Sequence, residues 1–88
     1  MKVYVVETIY HYDGQVDTNI VVFNTFEKAK KYKQVGIDKA NHFIEDIKRD
    51  IDDGNEDSII EDKETYFYAY DSYTFDEYTI SINEREVE

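Results

Sequence analysis

The dipeptide Asp13-Gly14 lies between two segments of alternating polarity, and no other feature restricts the folding of this chain so strongly. Both residues tolerate positive φ, which a two-residue turn between antiparallel strands requires. Upstream, residues 3–12 are rich in Val, Ile, Tyr and Thr. Val3, Val5 and Ile9 fall on one side of a strand there, and Tyr4, Val6, Thr8 and Tyr10 on the other. Downstream, a second strand fits Gln15–Phe23 and ends in the apolar run Ile20-Val21-Val22-Phe23. The spacing predicts a β-hairpin.

A helix follows. Asn24-Thr25-Phe26-Glu27 has capping-box spacing, so Asn24 or Thr25 caps it. Phe26, Ala29, Ile37, Ala40, Ile44, Ile47 and Ile51 then fall on one stripe at three- and four-residue intervals. Lys33 interrupts the stripe and is expected to carry its ammonium out to water along its aliphatic stem. Asp53-Gly54-Asn55 ends the pattern. Unbroken from Phe26 to Asp52, such a helix would be about 40 Å long. That is large for so small a domain, and Gly36 is where it would kink or divide.

Beyond a polar loop, Ser58–Glu61 can start a short strand, and Thr65–Tyr73 and Glu77–Asn83 are stronger strand candidates. The predicted fold is α+β: an antiparallel sheet of about four strands in the order β-β-α-β-β, with one long helix packed on one face. The chain of 88 residues reads as a single domain, 1–88, with a frayed end over 83–88.

Charge narrows the functional classes. Up to Phe43 six lysines face five acids; from Ile44 onward four cations face sixteen acids, and the whole chain carries −11. Free nucleic acid and anionic membranes repel such a chain. Cysteine is absent, which removes thiolate chemistry and disulfides. The amino-terminal run meets a charge early and no apolar segment is long enough to span a bilayer, so a cytoplasmic location is expected.

The candidate site is a binding surface. The first half of the predicted helix holds Lys28, Lys30, Lys31, Lys33 and Lys39, and its second half Glu45, Asp46, Asp50, Asp52 and Asp53. This opposes the helix macrodipole, at about 0.3–1 kcal/mol for each exposed charge near a terminus. Glu27 with Lys31 and Glu45 with Arg49, at i,i+4 spacing, recover a few tenths each. The acids continue into Asp57, Glu61, Asp62 and Glu64. Next come Tyr66, Tyr68 and Tyr70, which share one strand face while Phe67 and Ala69 share the other. With Phe67 and Ala69 in the core, the tyrosines line an outer face; in the opposite register they are core themselves. Partner-binding residues are accordingly expected at Asp46, Asp50, Asp53, Asp57, Glu61, Asp62, Tyr66, Tyr68 and Tyr70.

Other chemistries fit less well. The stretch Asp50–Glu61 begins Asp-x-Asp and ends in Glu at the twelfth position, but Gly54 is fifth where a calcium loop of the EF-hand type needs its glycine sixth. His11 and His42 lack metal-ligand spacing, and no glycine-rich phosphate loop or nucleophile elbow occurs. The reading is of a protein that is not an enzyme and needs no cofactor or metal.

The opening Met1-Lys2-Val3-Tyr4-Val5-Val6, the hairpin, and Phe23-Asn24-Thr25-Phe26-Glu27-Lys28-Ala29 resemble small proteins of bacteriophages and prophages of low-GC Gram-positive bacteria. That likeness covers roughly the first third of the chain. In size, acidity and aromatic content the remainder is similar to phage-encoded inhibitors of host defence, the DNA-mimic anti-restriction and anti-CRISPR proteins. The resemblance implies an inhibitor of a host nuclease, or of another defence or nucleic-acid-binding protein with a basic surface. The alternative is a small homodimeric adaptor that pairs through a strand edge or the tyrosine face.

Overall fold

In the computed structural model, which describes residues 1–54 and 57–87, β1 (Lys2–Tyr12) and β2 (Gln15–Phe23) form the expected hairpin. Their register is unbroken from Tyr12↔Gln15 to Tyr4↔Phe23. Asp13 and Gly14 take φ values of 49° and 73°, positive at both central positions as a type I′ turn demands.

Two helices and three strands complete the fold: α1 (Phe26–Lys39), α2 (Asn41–Asp52), β3 (Ile59–Lys63), β4 (Tyr66–Tyr70) and β5 (Glu77–Glu86). The strands make one antiparallel sheet in the order β2-β1-β5-β4-β3. The α+β class and the helix-covered sheet follow the expectation. The detail differs: among the described residues there are five strands where about four were expected, β3 being the short strand that Ser58–Glu61 could start, and two helices where one long helix was expected.

Both helices pack on the sheet face that presents Val6, Phe67, Ala69, Tyr78, Ile80 and Ile82, and Ala29, Ile44 and Ile47 complete the core from the helix side. Thr25 caps α1, its Oγ1 accepting the Lys28 N–H at 3.2 Å. Asn24 Oδ1 instead accepts from Lys28 Nζ at 3.2 Å. The helix divides at Ala40, not at Gly36. Ala40 sits at φ −89°, ψ 14°, and donates its N–H to the carbonyls of Gly36 and Ile37 at 3.1 Å. This turn lets Phe43 of α2 reach Tyr10, with ring centroids 5.5 Å apart, while Ile44 and Ile47 stay in the core. Among the described residues no helix is long and apolar enough to cross a membrane.

Gly36 has another role. A Cβ there would lie 3.0 Å from Ile80 Cδ1 and 3.1 Å from the Tyr78 hydroxyl, and that hydroxyl donates to the Gly36 carbonyl at 3.2 Å. The missing side chain sets how closely α1 approaches β5.

Three further expectations are corrected. Lys33 does not reach water: it is 7% exposed, and its Nζ bonds Asp62 Oδ1 at 3.1 Å. The end of the chain is paired where fraying was expected, since β5 runs to Glu86 and Glu84–Glu86 align with Tyr4–Lys2. The Val87 N–H also donates to the Met1 carbonyl at 2.7 Å; Glu88 lies outside the described residues. The ion pairs of α2 form at i,i+3, Glu45 with Lys48 and Asp46 with Arg49, rather than between Glu45 and Arg49.

Substituting Gly36→Ala tests the close approach. Ile80 is 1% exposed and cannot recede freely, so overpacking of about 1–3 kcal/mol outweighs the roughly 1 kcal/mol gain in helix propensity. The expected result is a net loss of about 1 kcal/mol in urea unfolding; a more stable variant would show that the contact is slack.

Candidate partner-binding surface

The helices cover one face of the sheet only. Because β-strand side chains alternate, each strand sends half of its residues to the uncovered side. The registers place His11, Glu77, Tyr70 and Ile59 in one row across it, then Ile9, Thr79, Tyr68 and Glu61, then Glu7, Ser81, Tyr66 and Lys63. Tyr66, Tyr68 and Tyr70 therefore form a column on the open face, while Phe67 (2% exposed) and Ala69 (0%) are core. This is the first of the two registers the sequence allowed.

The column is ordered by its own contacts. The Tyr66 and Tyr68 rings lie 6.4 Å apart and nearly parallel, at 7°. The Tyr68 hydroxyl donates to Glu77 Oε2 at 2.9 Å. Partial burial, and then the hydrogen bond to Glu77 and its negative charge, push the Tyr68 phenol up to about 12. Each ring presents apolar area with a polar tip, a combination enriched at protein interfaces.

The expected acids are divided between the two sides of the sheet. Glu61 lies on the open face, directly opposite Tyr68. Asp62 points to the helix side, where it holds Lys33. Asp46, Asp50 and Asp53 belong to α2 and its C-terminal cap, which pack behind β3 and β4. Asp46 sits 3.5 Å from Arg49, and Asp53 and Asp57 are exposed. Asp50 is half-buried; loss of hydration, and then the charges of Asp71, Asp46 and Asp53, raise its carboxyl above the ordinary aspartate value. The tyrosines and the α2 acids thus occupy opposite sides of the same two strands, and the β3 edge joins them. Asn55 and Glu56 of the calcium-like stretch lie outside the described residues, and no group of three His, Asp or Glu among the described residues is placed to hold a metal.

Sequence reasoning missed the β4–β5 connection. Asp71 is 7% exposed, and its carbonyl accepts the Phe75 N–H at 2.8 Å. Its Oδ1 accepts the Tyr73 N–H at 2.9 Å, and its own N–H bonds the Asp76 carbonyl at 2.9 Å. This network holds Phe75 at φ +62°, a region that L-residues other than Asn and Asp rarely adopt. It also leaves Phe75 74% and Tyr73 69% exposed. Phe75 borders a recess of about 380 Å³ that reaches the hairpin turn at Asp13 and Gly14. Only the Asp-x-x-x-x-Asp frame around two aromatics could have hinted at this loop.

Comparison with protein-family models, with curated proteins and with solved structures found no match to this chain.

Two measurements check the geometry. Phe75→Asn, which suits the left-handed conformation better, is expected to raise stability by about 0.5–1 kcal/mol in thermal or urea unfolding; destabilisation would mean that the exposed ring is held by packing. The phenol of Tyr68 is raised in the folded state, so its contribution is complete below the unfolded value near 10 and is lost as pH rises toward about 12. Tyr68→Phe should therefore shrink the fall in stability between those two pH values, and an unchanged alkaline profile would count against the Glu77 bond.

Proposed function

We propose that this protein is a non-catalytic binding module that occupies the basic, nucleic-acid-binding surface of another protein, as an inhibitor of the phage or prophage type directed at a host nuclease or related defence protein. The observation that carries this reading is the tyrosine column on the uncovered sheet face, beside an edge strand rich in carboxylates. Glu61, Glu64 and Asp57, with Asp46 and Asp53 around the edge on α2, stand in for phosphates, and Tyr66, Tyr68 and Tyr70 for stacked bases. The residues play unequal parts in it. Carboxylates steer a cationic partner and speed its approach, an effect that salt screens. Desolvated tyrosines then supply the slow dissociation. Asp62 is the weakest member of the set, since its carboxylate already neutralises Lys33. The action belongs in the cytoplasm of the host cell, where such targets reside.

The reading is tested by affinity capture from a bacterial lysate at low and high salt, followed by competition with duplex DNA. A basic protein retained at low salt, released by salt and displaced by DNA is the expected outcome. Reversing charge at Asp53, Glu61 and Glu64 together, all exposed, should slow association by about tenfold or more at low ionic strength while leaving the unfolding midpoint in place. Association unchanged by that reversal would rule out phosphate mimicry.

A further inference from the structure

The two edges of the sheet are built to different rules. β3 is short, five residues, and three of these, Glu61, Asp62 and Lys63, are charged. Brevity and charge are how an edge strand avoids pairing with another chain. β2 has neither defence. It runs nine residues from Gln15 to Phe23, holds Asp17 as its only charge, contains no proline or lysine, and keeps register with β1 throughout. The stretch from Thr18 to Phe26 is the longest in the chain without an acidic, basic, histidine or tyrosine side chain. Val16, Ile20 and Val22 on its open face are 55%, 57% and 56% exposed.

The hairpin fixes which backbone groups reach that edge. A two-residue turn closes on a hydrogen-bonded pair, here Tyr12 and Gln15, and bonded and non-bonded pairs then alternate. Asp17, Asn19, Val21 and Phe23 consequently bond to β1. Val16, Thr18, Ile20 and Val22 direct their N–H and C=O groups outward, about eight polar groups without a strand to meet them.

We propose that β2 pairs antiparallel with β2 of a second copy of this chain, about a two-fold axis at Asn19, to join two five-stranded sheets into one. Symmetry selects this register. Val16 then faces Val22 of the second copy and Thr18 faces its Ile20, so all four outward-directed residues pair with one another. An axis at Thr18 or at Ile20 leaves one of the four without a partner within the set, and an axis at Asp17 sets two like carboxylates opposite each other. Charge selects the occupant. A cationic partner has a single carboxylate to meet on β2, and that carboxylate, Asp17, already accepts the Tyr12 hydroxyl at 2.8 Å. Two copies that each carry −11 can approach with least repulsion where charge is sparsest, and β2, with Asp17 as its one charge, is that place. The pairing leaves β3 and the tyrosine column free at the far edge, so it stands independently of the function proposed above.

Sedimentation of the full chain tests the pairing. The wild type is expected to form a dimer that strengthens as salt screens the repulsion between copies, the opposite of the salt dependence expected for a basic partner. Thr18→Lys with Ile20→Lys places like charges opposite each other across the axis and should weaken the dimer by roughly tenfold or more. Thr18→Glu with Ile20→Lys places opposite charges there and should restore it. Circular dichroism and the unfolding midpoint establish that both variants keep the monomer fold. A wild type that stays monomeric at high salt, or a dimer indifferent to both double substitutions, would overturn the proposal.

Discussion

The closeness of α1 to β5 is the constraint on which the rest of the structure depends. β5 lies in the middle of the sheet, hydrogen-bonded to β1 on one side and β4 on the other. Its Tyr78, Ile80 and Ile82 form the floor of the core. At Gly36 the helix backbone comes near enough for the Tyr78 hydroxyl to bond a helix carbonyl that already takes part in the turn at Ala40. Held there, α1 can hand the chain over to α2 across Tyr10 and bring Lys33 within reach of Asp62 on the outermost strand. A helix standing farther off would loosen the core and take Lys33 out of reach of Asp62.

Much of this was legible in the sequence, for one physical reason. The hairpin, the cap region before Phe26, the apolar stripe through Ile44 and Ile47, and the opposition of Phe67 and Ala69 to Tyr66, Tyr68 and Tyr70 all follow from local periodicity and turn chemistry. What escaped depends on residues far apart in the chain. Ala40 is neither glycine nor proline, and the turn there goes with tertiary contacts, Phe43 against Tyr10 and Ile44 and Ile47 in the core. The short strand that Ser58–Glu61 can start is legible in the sequence, but its extension to Lys63 and its place at the sheet edge depend on pairing with β4. Lys33 reads as a surface lysine until Asp62, 29 positions on, is brought beside it. The candidate surface divides in the same way: the tyrosine column could be read from alternation, while the separation of Glu61 from Asp62, and the aromatic loop at Tyr73 and Phe75, required the tertiary structure.

The uneven charge of the chain also takes a spatial form. Acids at the C-terminal end of α2 lie where the helix dipole is least favourable to them, and the carboxyl of Asp50 is raised first by loss of hydration and then by the neighbouring negative charges. Neighbouring Asp71 is committed to hydrogen bonds that shape the loop after β4. Negative charge is therefore concentrated around β3, α2 and the β4–β5 loop, whereas β2 at the opposite edge is almost neutral. One sheet carries a charged border and a nearly neutral one.

The central position of β5 has a consequence for the order in which the molecule can assemble. Of these elements β1 leaves the ribosome before the others, and β5, its inner neighbour in the sheet, after them. Until β5 arrives, the β1–β2 hairpin meets the helices through contacts such as Tyr10 with Phe43 and Phe23 with Tyr32, but without the core floor of Tyr78, Ile80 and Ile82, and β4 has only β3 to pair with. The sheet must close over most of the length of the chain, a topology that folds slowly because the entropy of bringing distant segments together is lost before their contacts form. During synthesis the nascent hairpin accordingly exposes both of its strand edges, whereas in the finished sheet β5 covers the β1 edge and only the β2 edge of the hairpin stays bare.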